Sequence, residues 1–560
     1  MRDWNLLLPS SHADTFTRDR LPPQDQWPVF VADRPELDYP DTLNVVSALL
    51  DRHVLEGRGD RMALHGVRHM GSEMGNGVGD FSWTYAQLQE QVNRIAQVLC
   101  VDMGLVSGNR VLLRGGNSPM MAAALLATFK AGLVAVPTMP LLRAGELATI
   151  IGQAQVSAAL CDSLLAEELQ FCMTPGHVHH CPGLQQMTLF RSEQADGLEQ
   201  RMQRHDPVFA AHPSSRDDVC LIAFTSGTTG KPKGTMHFHR DLLAMCDLFP
   251  RHILQMDETD VVCGTPPIAF TFGLGGLLAF PLRHGASAVL LEKHTPETLL
   301  TSIAKYRATQ CYTAPTMYRQ MAPLAAGHDL SSLKHPVSAG EALPDATRQM
   351  WQQATGITMT DGIGGTEVIH IYISSAGAQV RPGSIGQVVP GYGAQIVDDD
   401  MQPVPPGTLG RLAVRGPTGC KYLDDPRQQD YVKAGWNLPG DTFVMDADGY
   451  FSYQARNDDM IISAGYNIAG PEVESALLAH PAVAECGVVG MPDADRGQIV
   501  QAFVVLKPGH TAGEALEKTL QDHVKQSIAP FKYPRKIVFM NALPRTETGK
   551  LQRFKLRQTS

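Results

Sequence analysis

Leu88, Val92, Ile95, Ala96 and Leu99 recur at a spacing near 3.6 residues, which predicts an amphipathic helix over Tyr85–Cys100 that stops before Gly104. Thr84 and Gln87 stand where a capping box would open it. The apolar run Arg110–Arg114 reads as a short buried strand. Asn117-Ser118-Pro119 supplies an N-cap and a first-turn proline for an Ala-rich helix over Met120–Ala131. A strand at Leu133–Val136, a helix through Leu147 and a strand near Val156–Leu160 continue the alternation, which predicts parallel sheet covered on both faces. The rhythm resumes at Asp218–Phe224 and runs to about residue 375. After Gly383 the chain turns to short strands with Gly and Pro turns, through Arg411–Arg415. A last unit begins near Asp458, with helices at Pro471–His480 and Gly513–Gln526 and strands near Ala484–Gly490, Gln501–Leu506 and Lys536–Met540.

The expected fold is therefore α/β. A large N-terminal body of mixed and parallel sheets, with helices on both faces and a small β-rich subdomain, precedes a small α+β C-terminal domain. The boundaries are an arm over 1–42, a main domain over 43–457 with the β-rich part at about 383–457, and a C-terminal domain over 458–560. The arm holds Pro22-Pro23, Trp27-Pro28 and several charges without obvious partners, so it should wrap over the body irregularly. No repeat at solenoid periods is evident.

Composition narrows the function classes. At 560 residues the chain can bury a core without disulfide or metal staples. Lys and Arg number 47 against 57 Asp and Glu, a net charge of −10 that argues against a nucleic-acid coat. The 10 cysteines are scattered without Cys-x-x-Cys or zinc spacing, as expected of reduced thiols in a cytoplasmic protein. The richest apolar stretch, 120–142, is broken by Lys130, Gly132, Pro137 and Pro140, and the first residues are too short an apolar run for a signal peptide. No membrane and no nucleic-acid partner is expected.

Candidate chemistry begins at Thr225-Ser-Gly-Thr-Thr-Gly-Lys-Pro-Lys-Gly234, directly after the apolar run Val219–Phe224. Its glycines free backbone N–H groups, its hydroxyls add donors, and Lys231 and Lys233 add cations, which together suit a phosphate cradle. The spacing is not a Walker loop, because neither Ser nor Thr follows the first lysine. On composition alone, a Gly- and Thr-rich surface loop is the other reading.

Residues 225–234 resemble the phosphate-binding loop of the adenylate-forming superfamily of acyl-CoA synthetases, carrier-loading adenylation domains and luciferases. Further segments follow in that family's order. Ser338-Ala-Gly-Glu-Ala-Leu-Pro344 resembles the adenine-packing segment, and Asp361-Gly-Ile-Gly-Gly-Thr-Glu367 the one that meets α-phosphate and magnesium. Gly440-Asp441 and Arg456-Asn-Asp458 match the ribose aspartate, the ribose arginine and the hinge, and Pro544–Lys550 the C-terminal lysine loop.

The resemblance covers nearly the whole chain and implies ATP, Mg2+ and CoA. It assigns nucleotide contacts to Thr225, Ser226, Gly227, Thr228, Thr229, Gly230, Lys233, Gly340, Glu341, Ala342, Asp361, Gly362, Thr366, Asp441, Arg456 and Lys550. Thr366, Glu367 and Lys550 are the implied catalytic residues, with Glu367 the magnesium ligand. A carboxylate in a glycine-rich turn suits that metal, two acceptor oxygens on Asp441 suit vicinal hydroxyls, and an ammonium on a Gly-containing loop suits transition-state charge. The implied chemistry has two steps, adenylation of an acid and displacement of AMP by a thiol. The small domain would rotate about Asp458 between them, so that Gly465 and Tyr466 come to line the thiol tunnel.

Within the family the chain is most similar to the benzoate and 2-aminobenzoate CoA ligases. The similarity lies in Asp14–Pro23 with Gln26-Trp-Pro28, in Gly108–Asn117, in Phe270–Gly275, and in Ile363 and His370. An AMP-forming aryl-CoA ligase is therefore expected, for which a homodimer is an admissible state. Phe272, Ala339, Gly340, Ile363, Gly365 and His370 would frame a flat apolar slot for a benzene ring. His370 reads equally as a partner for an ortho amino group or the carboxylate, or as a structural histidine bonded to backbone. Loading of a carrier protein and activation of a medium-chain acid are the competing functions.

The segment His177-Val-His-His180-Cys181 invites a metal reading, but between two prolines and without a partner cluster it reads as a surface loop. His237 and His239 read as neighbours of the phosphate loop.

Overall fold

The computed structural model describes residues 3–67, 81–225, 232–456, 459–463, 466–493, 496–545 and 551–558. Two sheets form the large body. In one, the strands Gln186–Phe190, Ala158–Asp162, Arg110–Arg114, Val134–Thr138 and Val219–Thr225 run parallel, and Lys233–Phe238 closes the edge as an antiparallel hairpin partner. The other has nine strands. Its parallel centre runs Thr360–Gly364, His335–Ser338, Gln310–Thr313, Val261–Gly264, Ser287–Leu291 and Met62–Val67. Both sheets are covered by helices, as the strand–helix alternation predicts.

Local signals were read correctly where capping decides. Thr84 Oγ1 accepts from Gln87 N at 3.2 Å while Gln87 Oε1 accepts from Thr84 N at 2.9 Å, so the box forms reciprocally. Ser118 caps Pro119–Lys130 through Met121 N. That helix packs against strands of both sheets and is buried on every side, which explains its lack of a polar face. The predicted end of the preceding helix shifts. Its α-helical part is Tyr85–Gln97, and Val98–Asp102 widens into a π-type turn in which Met103 N bonds Val98 O at 2.9 Å. The wider turn keeps Val98 and Leu99 buried before Gly104, at φ +64°, turns the chain.

The arm lies on the body as expected, with Trp4, Phe16, Trp27, Phe30, Leu37 and Tyr39 in the main core. Several of its charges are paired, which corrects the sequence expectation. Asp14 pairs with Arg110, Arg34 and His252 share Glu36, and Ser10 and Ser11 both donate to Asp218 at 2.5 Å. These partners lie up to about two hundred residues away in sequence, beyond any local reading.

The β-rich part is a sheet of Gly393–Val397, Leu409–Arg415, Val432–Lys433, Trp436–Asn437, Asp441–Met445 and Phe451–Arg456. Before it closes, its chain zippers onto the Lys233–Phe238 strand. Met236 N donates to Lys421 O and Leu423 N to Gly234 O, both at 2.8 Å. The zipper buries Lys421 against Asp241 at 2.9 Å, with both side chains at 0% exposure. The C-terminal α+β domain pairs Val483–Asp493, Gly497–Leu506 and Lys536–Phe539, with Ile461–Ser463 and Tyr466–Ile468 at the other edge. Helices Gly470–Leu478 and Glu514–Ser527 cover it over Ile461, Val473, Leu477, Val488, Val504 and Leu520. Among the described residues no helix is long and apolar enough to cross a membrane.

A buried ion pair is most costly when half of it is removed, because the remaining charge has no partner. Lys421→Met should therefore lower unfolding free energy by about 3–5 kcal/mol in urea titration. Adding Asp241→Asn should restore part of the loss, whereas equal midpoints for single and double variants would contradict this account.

Candidate functional site

The parallel strands of the nine-stranded sheet end at Gly264, Thr313, Ser338 and Gly364, and the hairpin strand of the other sheet ends at Thr225. Loops at the carboxyl ends of such strands are where open α/β sheets bind ligands. Several of the residues singled out in the sequence stand on or beside them. Ala339, Gly340, Glu341 and Ala342 follow one strand, and Gly340 turns at φ +91°, a conformation open to glycine. Asp361, Gly362 and Ile363 lie on the next strand, and Gly365, Thr366 and Glu367 on the turn after it.

Glu367 is buried, and its carboxylate is answered from two directions. Tyr422 Oη donates to Glu367 Oε1 at 2.5 Å, and Lys233 Nζ lies 3.4 Å from the same oxygen while donating to Tyr422 Oη at 2.8 Å. Burial and the adjacent carboxylate push the Tyr422 phenol far up, so it stays protonated and donates. On the backbone side, His237 Nε2 lies 2.8 Å from Thr366 O. Burial holds the His237 pKa down, so a neutral ring donates from Nε2 to that carbonyl. His237 thus bonds the turn that carries Glu367, whereas residues 226–231 of the phosphate loop it was expected to neighbour lie outside the described residues. His239 instead accepts from Val45 N through Nδ1 at 3.2 Å.

Asp441 and Arg456 face each other across antiparallel strands, their charged atoms 3.6 Å apart. The two residues expected at the ribose are brought together from positions 15 apart in sequence by one register. Asp361 sits beside Arg348 at 3.6 Å and accepts from Gly362 N at 3.0 Å, yet burial pushes its carboxyl up to about 7. Two buried hydroxyls at strand ends, Thr225 Oγ1 and Ser338 Oγ, have no hydrogen-bond partner among the described residues.

The acid-binding residues are brought together only in part. His370 packs among Phe249, Phe272 and Phe280, at ring-centroid distances of 5.7, 5.7 and 4.5 Å. Its Nε2 lies 3.4 Å from Phe272 O, and its Nδ1 is buried with no hydrogen-bond partner among the described residues. Burial drives its pKa down to about 3, so the ring is neutral and does not pair with a carboxylate as a cation. Ala339 belongs to the same apolar core, against which Phe272 packs. The Ile363 side chain packs instead with the cluster of Tyr372 and Ile373 under the β-rich sheet. Gly275 is pressed against His370 so closely that a Cβ there would lie 2.4 Å from the ring. Between Glu367 and His370, buried Ile369 adopts φ +72° and ψ −40°, a strained backbone for a β-branched residue.

Ser226, Gly227, Thr228, Thr229 and Gly230 of the phosphate loop lie outside the described residues, as do the hinge Asp458, Gly465 and Lys550. Tyr466 is exposed and its ring sits 4.7 Å from that of Phe531 on the C-terminal domain. The His177–Cys181 segment holds stacked rings, His177 on Phe171 at 4.8 Å, and no cluster of three metal-ligating side chains occurs among the described residues. Magnesium fits Glu367 only in company. A single hard carboxylate, outside any cluster of three metal-ligating side chains among the described residues, suits a cation that keeps water and takes most of its other ligands from a nucleotide's phosphates.

Sequence reasoning missed Tyr422, which no motif flags because its partner is 55 residues distant. Tyr422→Phe should raise the magnesium concentration needed for acid-dependent pyrophosphate exchange and cut its rate about tenfold at fixed magnesium, from loss of a bond to a charged group. An unchanged magnesium titration would remove Tyr422 from the site.

Comparison with known proteins gives a consistent picture. The AMP-binding enzyme family matches residues 51–421, and the AMP-binding enzyme C-terminal domain matches 472–550. The benzoate–CoA ligase of Thauera aromatica is 35% identical over 529 residues, which span 93% of this chain and 97% of that one. An anthranilate CoA ligase solved in complex with anthranoyl-AMP superposes with a TM-score of 0.86 at 33% identity, over 94% of this chain and 98% of that one. A benzoate CoA ligase from Burkholderia xenovorans LB400 gives 0.80 at 30% identity, over 92% and 100%.

Proposed function

Because this chain belongs to the AMP-binding enzyme family, an ATP-dependent, adenylate-forming acyl-CoA ligase acting on a carboxylic acid, we propose that its acid is aromatic, of the 2-aminobenzoate or benzoate type. The observation that carries this is His370: a neutral ring walled by three phenylalanines, with one buried nitrogen lacking a hydrogen-bond partner among the described residues. Flat aromatic walls favour a ring over a flexible chain. If Nε2–H is turned to the Phe272 carbonyl, Nδ1 is an acceptor, and an amino group ortho to the carboxylate can donate to it. Benzoate would leave that nitrogen unpaired, at a cost of about 1–3 kcal/mol, so 2-aminobenzoate is the favoured acid. Its ligase relatives, one bound to anthranoyl-AMP, support the same class.

The acid's carboxylate attacks the α-phosphorus of ATP as the bond to pyrophosphate breaks. CoA's thiol then attacks the acyl carbon, and AMP leaves. Thr225 and Lys233, with the loop 226–230, would hold phosphates, the Gly340–Ala342 segment the base, Asp361 and Gly362 the nucleotide near its α-phosphate, and Asp441 with Arg456 the ribose. Glu367 and Thr366 would hold magnesium, which, when bound, neutralises phosphate charge. Tyr422 and His237 keep that turn in place by the bonds described. Lys550 would stabilise charge on the carboxylate and α-phosphate, and Tyr466 and Gly465 would approach CoA after rotation at Asp458.

AMP release should be CoA-dependent and fastest with 2-aminobenzoate, then benzoate, in a panel that also includes hydroxybenzoates, phenylacetate and hexanoate. Hexanoate as the best substrate would contradict the aromatic reading, and acid-dependent pyrophosphate exchange without CoA turnover would point to a carrier protein. His370→Ala should reduce the preference for 2-aminobenzoate over benzoate by on the order of tenfold. Lys550→Ala should abolish adenylation and largely spare thioester formation from preformed acyl-adenylate, whereas equal loss of both would contradict its assigned step.

A further inference from the structure

Two arginines tie the C-terminal domain to the large body, one reaching in each direction. Arg319, on helix Pro315–Met321 of the body, donates through Nε to Ala484 O at 3.2 Å and through Nη2 to Leu478 O and Val483 O at 3.3 Å. Two of those carbonyls are ones the small domain leaves open. Leu478 is the last residue of helix Gly470–Leu478, where carbonyls have no intrahelical donor and a cation meets the negative end of the helix dipole. Ala484 falls where the ladder between Val483–Asp493 and Gly497–Leu506 shifts register, and so outside its regular pairing.

Arg545 reaches the other way. Its Nη2 donates to Glu485 Oε2 at 2.8 Å, within its own domain, and its Nη1 to Glu341 Oε1 at 3.3 Å, in the body. Glu341 Oε2 in turn accepts from Thr316 Oγ1 at 3.2 Å, and Thr316 lies one turn before Arg319 on the same helix. The contacts therefore close into a ring: Arg319 to Ala484, the adjoining Glu485 to Arg545, Arg545 to Glu341, Glu341 to Thr316, and back to Arg319. Charge-assisted bonds arranged in this way hold one relative orientation of two bodies, because a small rotation breaks several at once. Glu341 adjoins Gly340 of the segment expected on the base, and Arg545 lies five residues before Lys550.

We propose that this ring is a latch for the orientation in which the acyl-adenylate forms, with Arg319 and Arg545 as positioning residues of the first step. It rests on the reading that Lys550 serves that step. The latch must open for the small domain to turn, so it favours adenylation at the expense of the orientation that would admit CoA. A latch with a coupling of ordinary size changes the balance between two orientations by about tenfold.

The test uses the full-length enzyme carrying Arg319→Met, which keeps the apolar stem, and Arg319→Lys, which keeps a charge. Acid-dependent ATP–pyrophosphate exchange, with whichever acid the wild type activates, should fall about tenfold in the methionine variant. Thioester formation from preformed acyl-adenylate should stay at the wild-type rate or rise, and the lysine variant should recover part of the exchange. Without any substrate, tryptic cleavage after Arg456, between the domains, should be several-fold faster in Arg319→Met. A wild-type cleavage rate, or equal effects on both half-reactions, would overturn the proposal. Lys550→Ala tests the underlying reading separately.

Discussion

A carboxylate buried at the end of a strand must be met by donors, and the arrangement around Glu367 follows from that need. Tyr422 and Lys233 meet one of its oxygens from the β-rich part and from the hairpin strand, while His237 fixes the carbonyl of the residue before it. For Tyr422 to arrive there, the chain from Cys420 to Leu423 must lie along the Lys233–Phe238 strand, and the backbone bonds at Met236 and Leu423 lay it there. The Lys421–Asp241 pair then closes the same zipper from beneath. A third sheet is thus attached to the body through the residues that hold one carboxylate.

The same region explains what was legible in the sequence. Capping boxes and buried strands such as Val219–Thr225 are local, and the residue pattern decides them within a few positions. Asp441 and Arg456 could be named from their motifs because each is recognisable where it stands, although only a strand register brings them together. Tyr422, Arg319 and the partners of the arm's charges were not legible. Each acts on a group 55 to more than 200 residues away, and nothing near them in sequence carries that information. His370 was read both ways; one nitrogen lies near a backbone carbonyl, as the structural reading has it, and the other has no hydrogen-bond partner among the described residues.

The two ends of the site differ in physical character. Around Glu367 the surroundings are polar and hydrogen-bonded, suited to hold charge in a fixed place. Around His370 they are aromatic and dry enough to keep the imidazole neutral, suited to read shape and a single polar group. A reaction between a nucleoside triphosphate and a carboxylic acid brings unlike partners together, and one short turn lies between these two surroundings.

That turn is held by Ile369, whose positive φ leaves a buried, branched side chain no relaxed alternative. A stiff link of this kind transmits displacement instead of absorbing it. An ill-fitting acid that pushes His370 aside would drag Glu367, three positions earlier, out of register with the nucleotide. Fidelity would then be exercised after binding, in how fast an accepted molecule is activated, and poor substrates would act as occupants that block the site and turn over slowly.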